Sequence, residues 1–511
     1  MDVADSSRPS PKSGDQSVTL PARTPLANED LLPVSPDRRT WNWWHIASLW
    51  IGMAICIPTY TLASGLVDQG WTWQAAVGAV VLGNVVVLIP IALNSHAGTR
   101  YGIPFPVLAR ASFGVFGANV PAILRALVAC GWFGIQTWIG GWAIYKLIEV
   151  LWPGITTLPQ IFPAFIGLNT GEFLCFMAFW FMNVWIVLRG MDSIKFLETW
   201  GSPFLLAVGV ALFVWAWMRS GDLAHMLQNP VGPLDRGTVG LSGVFGAGLT
   251  SAVAFWGTMA LSIPDFSRYA RSQRDQVIGQ AVGLPATMAL FAFIGAAVTN
   301  ATLVIFGTRI ADPVALLARI GGPLMIMLSM AGLVVATLTT NVAANIVAPA
   351  NAFSNIAPHK ITFKQGAMIT SIIGIVMEPW RLYNDAAAYI FTWLIGYGAL
   401  LGPVAGIMIA DYFVLRRQNV IVNDLYRRGG IYEYTGGVNW AAIAALALGV
   451  SPSLPGFSAA LGGAPASGFF GGIYNWAWFV GFLIAAVAYL VGMRLVRPAM
   501  RDIEAGVRAG D

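Results

Sequence analysis

Two pairs of side chains, each four residues apart in an apolar setting, hold most of the chemistry this sequence can offer. Trp132 and Gln136 stand in CGWFGIQTWIGG (130–141), and Asn341 and Asn345 in TLTTNVAAN (337–345), with the hydroxyls of Thr339 and Thr340 just before them. In a helix, a spacing of four puts each pair on one face. A further ring, Trp256 of the Phe255-Trp256-Gly257 triplet, lies in another apolar run. Indole faces stack on flat rings, and carboxamides offer both donors and acceptors. With no charge among them, the set suits a neutral, flat heterocycle. Each member also has an ordinary use, since rings pack on neighbours and Gln, Asn and Thr join apolar helices to one another. Two amides and two hydroxyls at mid-helix are nonetheless costly to bury unless something satisfies them.

Bond-making chemistry lacks its residues. No HExxH, CxxC, Walker A or GxSxG pattern occurs, and His45, His96, His225 and His359 are scattered, so the chain reads as no enzyme. Cys56, Cys130 and Cys175 fall in apolar runs and read as small buried hydrophobes, not as a disulfide or metal set. Arg125, two turns before Trp132, and Asp265 with Arg268 read as an inner gate or a structural ion pair rather than as substrate contacts.

The elements that must position these residues are membrane helices. Of 511 residues 57% are hydrophobic and 10% charged, with mean hydropathy +0.67, more apolar surface than a soluble core can hide. After a Ser-, Pro- and Arg-rich tail over 1–40, expected to be disordered and to contain no signal peptide, apolar runs recur near the ~20 residues that span a bilayer. They lie at 45–66, 74–94, 118–150, 171–190, 198–218, 242–263, 276–306, 324–348, 363–379, 387–413, 439–454 and 474–493, which makes twelve helices. With the N-terminus inside, inner segments hold 22 of the 29 Lys and Arg, the outer loops five, and helix 3 two. This bias places both termini in the cytoplasm and accounts for the net charge of +5 without nucleic acid.

The octapeptide MAICIPTY (53–60) returns 206 positions later as MALSIPDF (259–266). Pro58 and Pro264 each remove a backbone donor, so helices 1 and 6 are expected to break or kink there and leave carbonyls unpaired. Paired, interrupted apolar segments in two halves mark the binding site of a secondary transporter. Five helices separate the copies, so the halves are inverted: helices 1–5 (41–220) against helices 6–10 (221–415). Helices 11 and 12 (416–493) and a cytoplasmic tail (494–511) follow. That is the leucine-transporter-like arrangement, an all-α membrane fold with its site where helices 1, 3, 6 and 8 meet.

At longer range the chain resembles the nucleobase:cation symporter family, first class. The resemblance covers 41–493 and is carried by PTYTLASGLVD, GTRYGIPFPVLARASFG, CGWFGIQTW, LSIPDFSRYARS and ATLTTNVAANIVAPAN. It implies import of a hydantoin, allantoin, uracil, cytosine or purine with a cation, by rocking helices 1, 2, 6 and 7 against a scaffold in the cell membrane. It makes Trp132 and Trp256 the stacking rings and Gln136, Asn341 and Asn345 the hydrogen-bonding groups. In sodium-coupled relatives the ion is held by carbonyls matching Ala54, Ile57 and Ala336 and by hydroxyls matching Thr339 and Thr340. Other relatives use protons with a similar set. The resemblance implies no cofactor beyond the coupling ion, and no partner beyond the heterocycle and the bilayer.

Overall fold

The computed structural model describes residues 24, 26–163, 166–189, 191–227, 244–320, 322–383, 385, 388–462 and 467–508. Among the described residues there is no strand, only the isolated bridges Trp41 to Ala270 and Thr435 to Val438. Among the described residues nine helices are each long and apolar enough to cross a bilayer, and a pair of helices bent by 55°, Trp43–Ala54 and Ile57–Asp68, makes ten when counted as one span. That bent pair is helix 1. Helix 2 is Trp73–Tyr101, helix 3 Asn119–Leu151, helix 4 Thr170–Arg189 and helix 5 Met191–Ser220. Helix 6 is Val244–Phe255 with Gly257–Ser262, helix 7 Gln273–Phe306, and helix 8 Pro323–Asn345 continued by Val347–Ile356. Helix 9 is Phe363–Val376, helix 10 Ala388–Leu415, helix 11 Trp440–Leu461 and helix 12 Ala477–Arg508. Every run expected to be a helix carries one. Helices 6 and 9 are the short ones.

The helices sort into two groups by what they touch. Helices 1, 2, 6 and 7 pack chiefly on one another, and helices 3, 4, 8 and 9 do the same, with helix 5 against both 7 and 8. Small residues permit the tight packing of the first group: a Cβ at Gly295 of helix 7 would stand 2.5 Å from the Tyr60 carbonyl oxygen of helix 1.

The prolines of the repeated octapeptide do not do what their sequence suggests. In helix 1 the break falls at Ile55 and Cys56, ahead of Pro58, which sits in the first turn of the next segment where a missing N–H costs little. In helix 6 the interruption falls at Trp256 (φ −100°, ψ 13°), eight residues before Pro264. Around Pro264 the backbone stays helical, with Ser267 N–H donating to the Ile263 carbonyl at 2.9 Å. Helix 6 thus has two joints, at Trp256 and at Ile263 just before Pro264, and only at Trp256 does the backbone leave the helical region. Near Pro264 a neighbour compensates: Asn94 of helix 2 donates its amide to the Ala260 carbonyl at 2.7 Å, the group that Pro264 leaves without a partner. The breaks at Cys56 and Trp256 and the helix caps at Thr72 and Ser272 lie 200 positions apart, while the left-handed glycines that end helices 2 and 7, Gly102 and Gly307, lie 205 apart.

The N-terminal region also differs from its sequence reading. Residues 26–40, expected to be disordered, lie packed against the ends of the helices. Leu26 and Leu31 are buried, and their carbonyls accept from Arg110 (2.8 Å) and the Tyr426 hydroxyl (2.7 Å). Arg268 donates to the Asp30 carbonyl at 2.9 Å. Apolar side chains too sparse to show periodicity are enough to dock a short segment when buried donors await its carbonyls.

Candidate functional site

The helix 1 break is the floor of a narrow cavity lined by four helices. Cys56 is extended there (φ −146°, ψ 160°), and its carbonyl restarts the helix by accepting from Thr59 and Tyr60. Met53, Cys56 and Pro58 of helix 1 face Trp132 and Gln136 of helix 3, Phe255, Trp256, Thr258 and Met259 of helix 6, and Thr340, Ala344 and Asn345 of helix 8. Four segments spread over nearly 300 positions thus meet at the two broken helices.

Trp132, Gln136, Trp256 and Asn345 all line this cavity. Trp132 is held on edge by Phe255 (ring centroids 5.2 Å apart), Trp393 (6.1 Å), Tyr389 (6.2 Å) and Tyr397 (6.3 Å). Trp256 is braced by Trp50 at 5.0 Å, nearly perpendicular, and its Nε1 has no hydrogen-bond partner among the described residues. The two indoles make no ring contact with each other, and each is braced so that it cannot turn freely.

Asn341 does not line the cavity. Its amide nitrogen is directed at the Phe133 carbonyl, Thr137 Oγ1 and Asn183 Oδ1 at 3.1–3.3 Å, which ties helix 8 to helices 3 and 4. Its oxygen accepts from Asn345 Nδ2 at 3.0 Å, which fixes the orientation of the amide that does reach the cavity. The four-residue spacing of the two Asn therefore gives one lining group and one that positions it. Asn183 and Thr137, which complete that support, were missed by sequence reasoning, as were Cys56 and Thr258. An Asn alone in the apolar run of helix 4 was the signal available for Asn183.

The expected cation ligands are oxygens of two kinds. Thr339 and Thr340 both turn their hydroxyls onto the Ala336 carbonyl, at 2.7 and 3.1 Å, and so gather three neutral oxygens on one face of helix 8. Thr340 also lines the cavity opposite the helix 1 break. Across it, the Ala54 carbonyl, deprived of its usual donor by Pro58, accepts from Cys56 N–H at 3.0 Å and from no other helix among the described residues. Ile57 follows in the same break and is buried. Such hard, uncharged oxygens suit an alkali cation by donor type. Among the described residues no cluster of His, Cys, Asp or Glu could hold a transition metal.

Beyond its break, helix 1 is tied to its neighbours by neutral groups. Thr61 and Tyr383 share a hydrogen bond of 2.6 Å, the Tyr389 hydroxyl donates to the Pro58 carbonyl at 3.3 Å, and Ser64 donates to the Ala311 carbonyl at 2.9 Å.

Known proteins match this arrangement over nearly its whole length. Residues 33–481 match the model of a family described as permeases for cytosine/purines, uracil, thiamine and allantoin. The purine-uracil permease NCS1 of Arabidopsis thaliana is 44% identical over 92% of this chain and 78% of its own. The allantoin permease of Bacillus subtilis is 40% identical over 94% of this chain and 95% of its own. The inward-facing structure of Mhp1 matches with TM-score 0.76 at 26% identity, covering 94% of this chain and 96% of that one. A second Mhp1 structure, described as a nucleobase-cation-symport-1 family transporter closed around bromovinylhydantoin, matches at 0.73.

Proposed function

Because this chain belongs to the family of permeases for cytosine/purines, uracil, thiamine and allantoin, we propose that it imports one neutral nucleobase-like heterocycle together with sodium across the cell membrane. It is a multi-pass membrane transporter and not an enzyme. The observation that carries the finer reading is the cavity at the helix 1 break, where two braced indoles and two amides converge without a fixed charge. A ring entering it would lie against Trp132 and Trp256, with its amide edge towards Gln136 and Asn345. Apolar walls with a few convergent polar groups select by orientation, and a ring lacking the matching edge would leave those groups unpaired.

Sodium enters the proposal through helix 1. An ion between the Ala54 and Ile57 carbonyls and the Ala336, Thr339 and Thr340 oxygens would join helix 1 to helix 8, and so the first helix group to the second. Ion and substrate would then favour the same conformation, and each would raise the affinity for the other. The termini would be cytoplasmic, as the distribution of Lys and Arg suggests.

The test is uptake of labelled rings by cells or proteoliposomes, with allantoin, hydantoins, uracil, cytosine and purines as competitors, with and without sodium at fixed pH. Saturable, sodium-dependent accumulation of one ring class is the expected result. Accumulation that ignores sodium but follows pH would replace sodium by a proton. Passage without saturation would point to a channel and overturn the reading.

A further inference from the structure

Arg125 lies on helix 3 two turns before Trp132 and is 1% exposed, a charge buried where charges are costly. Its Nη2 donates to the Ser262 hydroxyl of helix 6 at 2.8 Å, while its Nε and Nη1 have no partner among the described residues. The Ser262 hydroxyl in turn donates a hydrogen bond to the Thr258 carbonyl at 2.9 Å, and Thr258 lines the cavity. Three residues beyond Ser262, and so on the same face of helix 6, stands Asp265. It is 9% exposed and accepts from the Phe105 N–H at 2.8 Å. Arg125 and Asp265 make no ion pair among the described residues.

A guanidinium with unused donors, a serine holding one of them, and a carboxylate one turn further along the same face form a set with two arrangements. We propose that Arg125 and Asp265 are a state-dependent latch on the cytoplasmic side of the cavity, with Arg125 exchanging Ser262 for Asp265 when helix 6 slides against helix 3. The exchange would close the inner side and favour the outward-open state. The present arrangement, with Arg125 on Ser262, is the unlatched one. Breaking such a pair leaves two poorly satisfied buried charges, which gives each arrangement a distinct energy instead of a continuum. This inference rests on the alternating-access reading above.

Cys56, a free thiol on the cavity floor, supplies the readout. Membrane vesicles of either orientation carrying the full chain would be treated with an impermeant maleimide, with Cys56→Ser as the blank. Arg125→Gln and Asp265→Asn should each slow labelling from outside by about tenfold and speed it from inside, and the double variant should do no more than either single one. Asp265→Asn keeps an acceptor for Phe105, and Arg125→Lys, which keeps the charge, should stay near wild type; these milder variants complete the test if Arg125→Gln fails to reach the membrane. Unchanged labelling in both single variants, or a double variant whose loss is the product of the two, would overturn the latch. Wild-type Cys56 labelled from one side only, whatever substrate or sodium is present, would overturn alternating access itself.

Discussion

The octapeptides 53–60 and 259–266 share Met-Ala and Ile-Pro at matching positions, yet one ends a helix and the other lies inside a helical path. In both, proline withholds a donor from the carbonyl four residues earlier. Asn94 reaches the Ala260 carbonyl from helix 2, and the path continues. Among the described residues no neighbouring helix reaches the Ala54 carbonyl, and the chain bends by 55° beside the cavity. The difference teaches that a proline in an apolar helix decides where a carbonyl goes unpaired, and the neighbouring helix decides what becomes of it. In helix 6 it is consumed by packing. In helix 1 no other helix among the described residues claims it, and the proposed cation would meet it there.

The contrast can be broken most forcefully at helix 8. If the open carbonyl of helix 1 serves a cation together with the Thr hydroxyls, Thr340→Ala should remove most of the sodium dependence of substrate affinity, a coupling of about 5–150-fold in comparable systems, while Thr340→Ser stays mild. Titration of purified protein with substrate across a sodium series at fixed pH measures this. An unchanged dependence would remove Thr340 from the ion's ligands.

Next in size are the rings beside each break. Trp256 sits at the interruption of helix 6, and Trp132 stands over the break of helix 1. Alanine at either should weaken substrate binding by about 1–3 kcal/mol, the range for base–aromatic stacking. If Trp256→Ala binds as tightly as wild type, the interruption of helix 6 serves packing alone.

Asn94→Leu is a test of stability, not affinity. It leaves the Ala260 carbonyl buried without a donor, at a cost of about 1–3 kcal/mol, visible as lower thermal stability with substrate affinity retained. Smallest is Pro264→Ala, expected to alter stability by less than about 1 kcal/mol. Its value lies in the combination. With an N–H restored at 264, the Ala260 carbonyl has a new donor, so Asn94→Leu should cost clearly less in the Pro264→Ala background than alone. Simple additivity would show that the amide supports helix 6 in some other way.

Much of this was legible in the chain. Hydropathy located the helices because a bilayer obliges each crossing to bury about twenty apolar residues and to satisfy its own backbone. Trp132 with Gln136, and Asn341 with Asn345, stood out because polar groups at helical spacing are expensive in such runs. The repeat announced two related halves. What composition could not show is which of two identical spacings faces a cavity. Asn345 does and Asn341 does not, because Asn183 and Thr137 stand where the latter points.

The sequence by itself thus determined the membrane class, the inverted halves and the residue types able to hold a flat, neutral ring, because these follow from local physics repeated along the chain. Only the tertiary structure decided which proline leaves an open carbonyl, which amide reaches the cavity, and that Arg125 is bonded to Ser262 and not to Asp265. Each of those is settled by a group from a helix remote in sequence, and the energy of a buried polar atom depends on whether that partner arrives.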